Sequence, residues 1–264
     1  MTDLPVYTGP MEERRFHLAN SSVGPIVDAT DVGAVYLAVP GSVDLDRMPA
    51  RIVLGLHGSG RSAESYAEIP FYRYQRDRAL RSQYIFASVS NGPAGWGLDE
   101  GLQSVLILMG LLCGEFGSDC TFVPWGSSAG GIMMFRVIHE LADSDRFRPI
   151  DRGIGTFPVY DLFSLFGKSP GCGKAWRAES MDELKQNAGD RNPPLFAENV
   201  AGCRYWIGHG IDDILVDLTE NAERLQRDIV PYGGEVVLHR AGGGHSTQNF
   251  LVYDDEALGR FLDG

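Results

Sequence analysis

The 264-residue chain is long enough to bury a substantial core, and its 44% apolar and 22% charged residues are an ordinary globular mixture. Its formal charge of −12, from 23 Lys and Arg against 35 Asp and Glu, repels a phosphate backbone and argues against nucleic acid as a partner. The opening MTDLPVYTGPMEERRFHL has no continuous apolar stretch of the secretory kind, and the longest apolar-leaning run, residues 105–113, is too short to cross a bilayer, so a cytoplasmic chain without membrane contact is expected.

Residues 15–18 and 33–39 have strand character with polar turn residues between them, and read as an antiparallel opening pair. A turn over 40–49, rich in proline and aspartate, leads into Arg51-Ile-Val-Leu-Gly-Leu56, which is apolar on both faces as a central parallel strand should be. A helix over roughly 62–81 follows, broken near Pro70. Its arginines Arg73, Arg76, Arg78 and Arg81 are interrupted by Asp77, and no basic motif interleaved with aromatics follows. A strand at 84–88 and a loop of turn formers at 91–97 come next. The helix at 98–115 carries Leu102, Val105, Leu106, Met109 and Leu112 at helical spacing.

A strand at 120–125 runs directly into a helix at 129–141. Strands at 154–157 and 204–207, a helix at 215–229, a strand at 235–238 and a helix at 253–262 complete the chain. This alternation predicts an α/β fold: one domain over 1–264, with a mostly parallel central sheet covered by helices on both faces. Residues 158–200 break the alternation. They hold no convincing strand, turn polar and rich in Gly and Pro, and have their best helix at 181–187. An excursion of that length reads as a small lid over the strand ends, or as a plain surface excursion.

Cys113, Cys120, Cys172 and Cys203 form no CxxC pair and have no histidine cluster beside them, so neither a structural zinc site nor any other cofactor is expected. Free buried thiols are the simpler reading; in an exported chain, Cys172 could instead pair with Cys203.

The sharpest motif is Gly126-Ser127-Ser128-Ala129-Gly130, followed by Gly131. It fits G-x-S-x-G with Ser128 central, and it falls where a strand meets a helix. There, tiny neighbours allow a tight turn that thrusts a nucleophilic hydroxyl above a sheet. Centring the motif on Ser127 would put Trp125 and Ala129 where the glycines are needed, so Ser127 reads as a packing or hydrogen-bonding residue. At the end of the earlier strand, His57-Gly58-Ser59-Gly60 supplies small residues past which a reacting carbonyl can approach the backbone. The N–H groups of Ser59 and Ala129 are candidate oxyanion donors, the second aided by the positive end of its helix. His57 precedes the nucleophile and ends a buried strand, which suits a structural histidine better than a base.

If the chain order Ser…Asp…His holds, the base comes late. The strand at 235–238 runs into His239-Arg-Ala-Gly-Gly-Gly-His245-Ser, whose glycines let a loop bring a ring down to the nucleophile, so His245 is preferred to His239. The strand at 204–207 leads into Gly208-His209-Gly210-Ile211-Asp212-Asp213. A carboxylate just past a strand end can hold the histidine in its productive tautomer. Asp212 and Asp213 both stay open on these grounds, with a helix N-cap as the structural alternative for Asp212.

From Gly33 to Leu262 the chain resembles the α/β-hydrolase superfamily. The superfamily pattern HG-x-x-D-x-x-V matches His209-Gly210, Asp213 and Val216, and the resemblance implies Asp213 as the acid beside Ser128 and His245. Leu56-His57-Gly58-Ser59-Gly60 and the approach to the serine motif are similar to the feruloyl esterase and polyhydroxybutyrate depolymerase-like group. That similarity implies hydrolysis of a carboxylic ester from a small molecule or a polymer. The implied chemistry is general-base activation of Ser128, an acyl-enzyme, and its hydrolysis by water, with no cofactor or metal. The same residues could cleave a peptide or amide, open a lactone, or pass the acyl group to an alcohol or amine. A non-catalytic ligand-binding protein on this fold is the alternative of a different class.

Pocket candidates are His57, Arg61, Trp96 and Trp125, together with residues 158–200. Trp96 lies in a loop after a strand, where ligands collect in parallel sheets, and a core role is its alternative. Arg61 could meet a substrate carboxylate or phosphate, or make a surface ion pair. Met133 and Met134 read as core packing. No feature of the sequence sets an oligomeric state.

Overall fold

The apolar runs form β1 (Met11–His17), β2 (Ala34–Pro40), β3 (Arg51–Leu56), β4 (Ile85–Val89), β5 (Thr121–Ser127), β6 (Arg152–Thr156), β7 (Arg204–Gly210) and β8 (Glu235–Ala241). They belong to a computed structural model that describes residues 4–18, 32–41 and 49–264, so most of the predicted 40–49 turn lies outside the described residues. Among the described residues the strands make one sheet in the order β1-β2-β4-β3-β5-β6-β7-β8. The predicted opening pair is present, β1 running antiparallel to β2, and β2 is also antiparallel to β4. The remaining pairings are parallel.

β3 explains the continuous apolar run. Ile52, Leu54 and Leu56 turn into one core layer and Val53 into the other, so both faces are shielded from water. The helix predicted over 62–81 is split into α1 (Ser65–Glu68) and α2 (Pro70–Arg81). Ile69 divides them, held extended at φ −92° and ψ 123° because the proline ring excludes the helical conformation before it. After α3 (Asp99–Phe116) and α4 (Gly130–Leu141) come the helices of the excursion, α5 (Pro170–Trp176), α6 (Met181–Ala188) and α7 (Ala197–Val200). The chain closes with α8 (Ala222–Ile229) and α9 (Asp255–Asp263).

One core layer is built from α3, α4 and α8 through residues such as Leu102, Ile138 and Leu225. The opposite layer takes Phe71 and Leu80 of α2 and Leu258 and Leu262 of α9. Met133 and Met134 are both buried in the first layer. Most of α4 is shielded from water, which is why its sequence is apolar nearly all round. On α2, Arg76 pairs with Asp77 at 2.6 Å, Arg78 lies 3.6 Å from Asp255, and Arg81 also reaches Asp255.

The helix predicted over 215–229 begins only at Ala222. Aspartates upstream compete for the backbone: Asp213 Oδ1 accepts from the N–H groups of Leu215 and Val216, and Asp217 Oδ1 from those of Thr219 and Glu220. Side-chain acceptors at this spacing stabilise turns at the expense of helix.

Residues 158–200 contain α5 to α7 and single helical turns, and no strand among the described residues. Val159, Leu162, Leu165, Cys172, Trp176 and Leu184 form a third apolar cluster that packs on Trp96, Ala129 and Ile132. Arg191 ties the excursion to α3 through Asp99 at 2.6 Å, and Arg136 of α4 meets the same carboxylate at 2.9 Å. Hydrogen bonding by Arg191, with Arg136 adding to it, holds the Asp99 carboxyl down to about 2. All four cysteines are free. Cys172 sits in the third cluster and Cys203 in the first layer, so the exported-chain pairing is not present. Burial pushes the Cys172 thiol up to about 12.

Candidate active site

The turn between β5 and α4 places Ser128 at φ +52°, in the left-handed region that non-glycine residues rarely adopt. Three backbone hydrogen bonds hold it there. Its N–H donates to the Thr156 carbonyl at 3.1 Å, and its own carbonyl accepts from Gly131 at 2.8 Å and Val159 at 2.9 Å. The motif glycines are needed because backbones cross closely. A Cβ on Gly126 would stand 2.7 Å from the Gly130 carbonyl oxygen, and one on Gly130 would collide with the Leu56 carbonyl. Ser127 points the other way, its buried Oγ accepting from Gln75 Nε2 at 2.9 Å while that amide also reaches Tyr253 at 2.8 Å.

Beyond β7 and β8, two loops bring the remaining polar groups to Ser128. His245 Nε2 lies 2.9 Å from Ser128 Oγ, and His245 Nδ1 lies 2.8 Å from Asp213 Oδ2. With Nδ1 protonated toward the carboxylate, Nε2 is free to accept the serine proton. Asp213 is buried, and its second oxygen is fixed by Leu215 and Val216 at 3.0 and 2.9 Å. Asp212 is exposed and serves another purpose. It exchanges hydrogen bonds with Gly243 at 3.0 and 3.2 Å, bracing the glycine loop that delivers His245, and it caps no helix. His239 lies away from the serine, stacked over Trp206 at 6.0 Å between ring centroids. His209 is fully buried and donates from Nε2 to the Val216 carbonyl at 2.8 Å, tying the Asp213 turn to β7. Burial keeps its pKa below the ordinary imidazole value.

Ser128 and His245 line a cavity of about 330 Å³ together with Gly58, Ser59, Arg61 and Trp96. The N–H groups of Ser59 and Ala129 donate to no group among the described residues. Trp96 is 3% exposed, packs in the third cluster, and borders the cavity while its Nε1–H donates to Ser59 Oγ at 3.1 Å. Leu165 and Ser169 bring the excursion to the cavity wall.

Two pocket expectations are corrected. Trp125 is fully buried in the second core layer, where Nε1–H donates to Thr156 Oγ1 at 2.8 Å, because its position on β5 points it into the sheet packing. His57 is buried, with Nε2 facing the Asn91 N–H at 3.3 Å and Nδ1 facing the Gly58 carbonyl at 3.1 Å, and it is not among the residues lining the cavity.

Three further contributors went unnoticed in the sequence. Phe157 packs 4.5 Å from the His245 ring and lines the cavity, with a φ of +36°. Tyr72, on α2, accepts the Gly58 N–H at 3.2 Å from inside the cavity wall. Asn249 reaches the Gly242 and Gly244 carbonyls at 3.2 and 3.3 Å and closes the loop before His245. No periodicity marks such residues; only the Asn249 amide, near a glycine run, carried a usable turn signal. Among the described residues no three His, Cys, Asp or Glu side chains converge to hold a metal ion, and no helix is long and apolar enough to cross a membrane.

Solved structures share this architecture. The acylaminoacyl peptidase of Pyrococcus horikoshii matches with a TM-score of 0.70 and 17% identity, over 96% of this chain and 41% of that one. Esterase B from Lactobacillus rhamnosis matches at 0.67 and 15% identity, over 97% and 88% of the two chains. Carboxyl esterase 2 from Tuber melanosporum matches at 0.64 and 15%, over 100% and 91%. The chain has the α/β-hydrolase fold. In that fold the serine turn, the loop after β7 and the loop after β8 all open at the carboxyl ends of the strands, which is where Ser128, Asp213 and His245 meet. This chain spans only 36% to 41% of the length of the peptidases that it matches first. No protein-family model matches the sequence, and no curated protein does.

Proposed function

We propose that this α/β-hydrolase-fold chain is a serine hydrolase that cleaves a carboxylic ester through an acyl-enzyme. The observation that carries the reading is the unbroken relay from Ser128 Oγ to His245 at 2.9 Å and on to Asp213 at 2.8 Å, opening into a cavity. Ser128 attacks the ester carbonyl as His245 takes its proton, and the ring returns that proton to the departing alcohol. Asp213 holds the ring and balances its charge. The N–H groups of Ser59 and Ala129, which have no acceptor among the described residues, receive the oxyanion. Water, activated by the same histidine, releases the acid and restores the serine.

Residues 158–200 act as the lid over this centre within one catalytic domain. Supporting this, they pack on Trp96, Ala129 and Ile132 next to the serine and place Leu165 and Ser169 on the cavity wall. The test is hydrolysis of chromogenic acetyl, butyryl, octanoyl and feruloyl esters and one anilide by wild type and Ser128→Ala. Ester turnover that disappears in the variant supports the reading. Turnover of the anilide alone would move the activity to amide cleavage, which the acylaminoacyl peptidases among the structural neighbours make the next reading.

A further inference from the structure

The cavity beside Ser128 has an unusual charge for this chain. The protein carries a net charge of −12, yet none of the residues lining the cavity is a carboxylate. The side chains there are hydroxyls (Ser59, Tyr72, Ser128, Ser169, Ser246, Thr247), apolar groups, the His245 ring and one permanent cation, Arg61.

Arg61 sits in the turn that follows the proposed oxyanion segment, its N–H donating to the Gly58 carbonyl at 3.2 Å. The surface ion pair that the sequence allowed is not made: among the described residues its guanidinium has neither an ion-pair nor a hydrogen-bond partner. The carboxylate nearest to it in sequence, Glu64, is held by Arg15 at 2.7 Å. Burial pushes the Tyr72 hydroxyl above its ordinary pKa, with the Gly58 N–H and the Arg61 guanidinium opposing that rise. Tyr72 in turn accepts the Gly58 N–H at 3.2 Å, and both its oxygen and Ser128 Cβ crowd the position that a side chain on Gly58 would take, at 3.0 and 3.3 Å. Arg61, itself exposed to solvent, and Ser128 line the same cavity.

A planar guanidinium with five donors and no protein partner among the described residues, at the wall of a cavity free of carboxylates, matches an anionic oxygen group that it can grip with two hydrogen bonds, of which a carboxylate is the simplest on an acyl chain. Resting on the hydrolase reading, we propose that the substrate is an ester bearing a second, free carboxylate, which Arg61 binds while Ser128 attacks the ester carbonyl. The free carboxylate stays ionised throughout. It enters no bond, and the acyl transfer and its proton balance remain those given above.

The test compares the mono-4-nitrophenyl ester of glutaric acid with 4-nitrophenyl valerate, a neutral ester of equal chain length, using wild type, Arg61→Gln and Arg61→Lys. The wild type is expected to favour the anionic ester in kcat/KM by about tenfold or more, as suits one charge-assisted contact. Added salt should erode the preference. The ratio between the two esters should collapse toward one in Arg61→Gln and recover in part in Arg61→Lys. An unchanged ratio in Arg61→Gln overturns the proposal.

Calorimetric titration of Ser128→Ala with the same two esters reads the contact without turnover. Tighter binding of the anionic ester, lost on adding Arg61→Gln, supports the proposal, and no preference contradicts it. A wild type that turns over neither ester counts against the ester-hydrolase reading alone, because the titration still decides the fate of Arg61.

Discussion

The ring of Phe157 lies 4.5 Å from the ring of His245, tilted by 58°, and reaches it from a backbone at φ +36°. The residue just past β6 thus forms a wall against which the imidazole rests. On its other side Phe157 stacks on Phe71 at 5.3 Å, and its N–H donates to the Gly208 carbonyl at 2.7 Å, which holds the unfavourable backbone in place. Phe157→Ala should lower stability by about 3–5 kcal/mol, as for other large core truncations. It should also reduce kcat by roughly ten- to a hundredfold through misplacement of His245. Denaturant melts and initial rates check both, and a stable variant with wild-type kcat would show that the ring contact does not orient the histidine.

The two neighbouring aspartates should separate cleanly. Asp213→Asn keeps an oxygen for the Leu215 and Val216 N–H groups but loses the charge opposite His245, so kcat should fall by roughly ten-thousandfold with folding retained. Asp212→Asn keeps an acceptor for the Gly243 N–H and should cost far less activity. Rates for the two variants on one good ester decide this, and equal losses would mean that the acid is misassigned.

Gly130→Ala tests the close crossing beneath the serine. The added methyl meets the Leu56 carbonyl, so β3 and α4 must part or the turn must distort. A stability loss of about 1–3 kcal/mol is expected from such overpacking, with a larger loss of ester turnover than the stability change explains. Thermal melts alongside kcat/KM would detect both effects.

His209 should make stability fall with acid. Burial, the dominant influence, lowers its folded pKa below the ordinary value of 6.5, against the opposing pull of the Val216 carbonyl and Asp213. Below that ordinary value the unfolded chain takes up a proton that the folded chain refuses. Its contribution is therefore complete above pH 6.5 and is lost as the pH drops through that value toward the lowered folded one. Melting temperatures from pH 7.5 down to 5 should drop more steeply for wild type than for His209→Gln. Parallel curves would contradict the linkage.

Much of this was written in local patterns. The run from Arg51 to Leu56 could only be a strand shielded on both faces, and Pro70 marked the break between α1 and α2. The glycines around Ser128 announced a turn whose geometry tolerates nothing larger, and the chain order of Asp213 and His245 followed the serine. What stayed hidden depends on approach between distant segments. Trp125 was read as a pocket candidate, and β5 places it inward against Thr156. Phe157 met His245 only because β6 and the loop after β8 converge, 88 residues apart in sequence numbering from Phe157 to His245. The helix start at Ala222, later than periodicity suggested, was set by Asp213 and Asp217 claiming the backbone N–H groups ahead of it.

Ser128 as the nucleophile is tested most directly by covalent labelling with a 4-nitrophenyl alkylphosphonate followed by intact-protein and peptide mass spectrometry. A single adduct is expected on wild type, mapped to Ser128, matched by loss of ester turnover and absent from Ser128→Ala. An adduct that persists in Ser128→Ala, or full ester turnover by that variant, would contradict it.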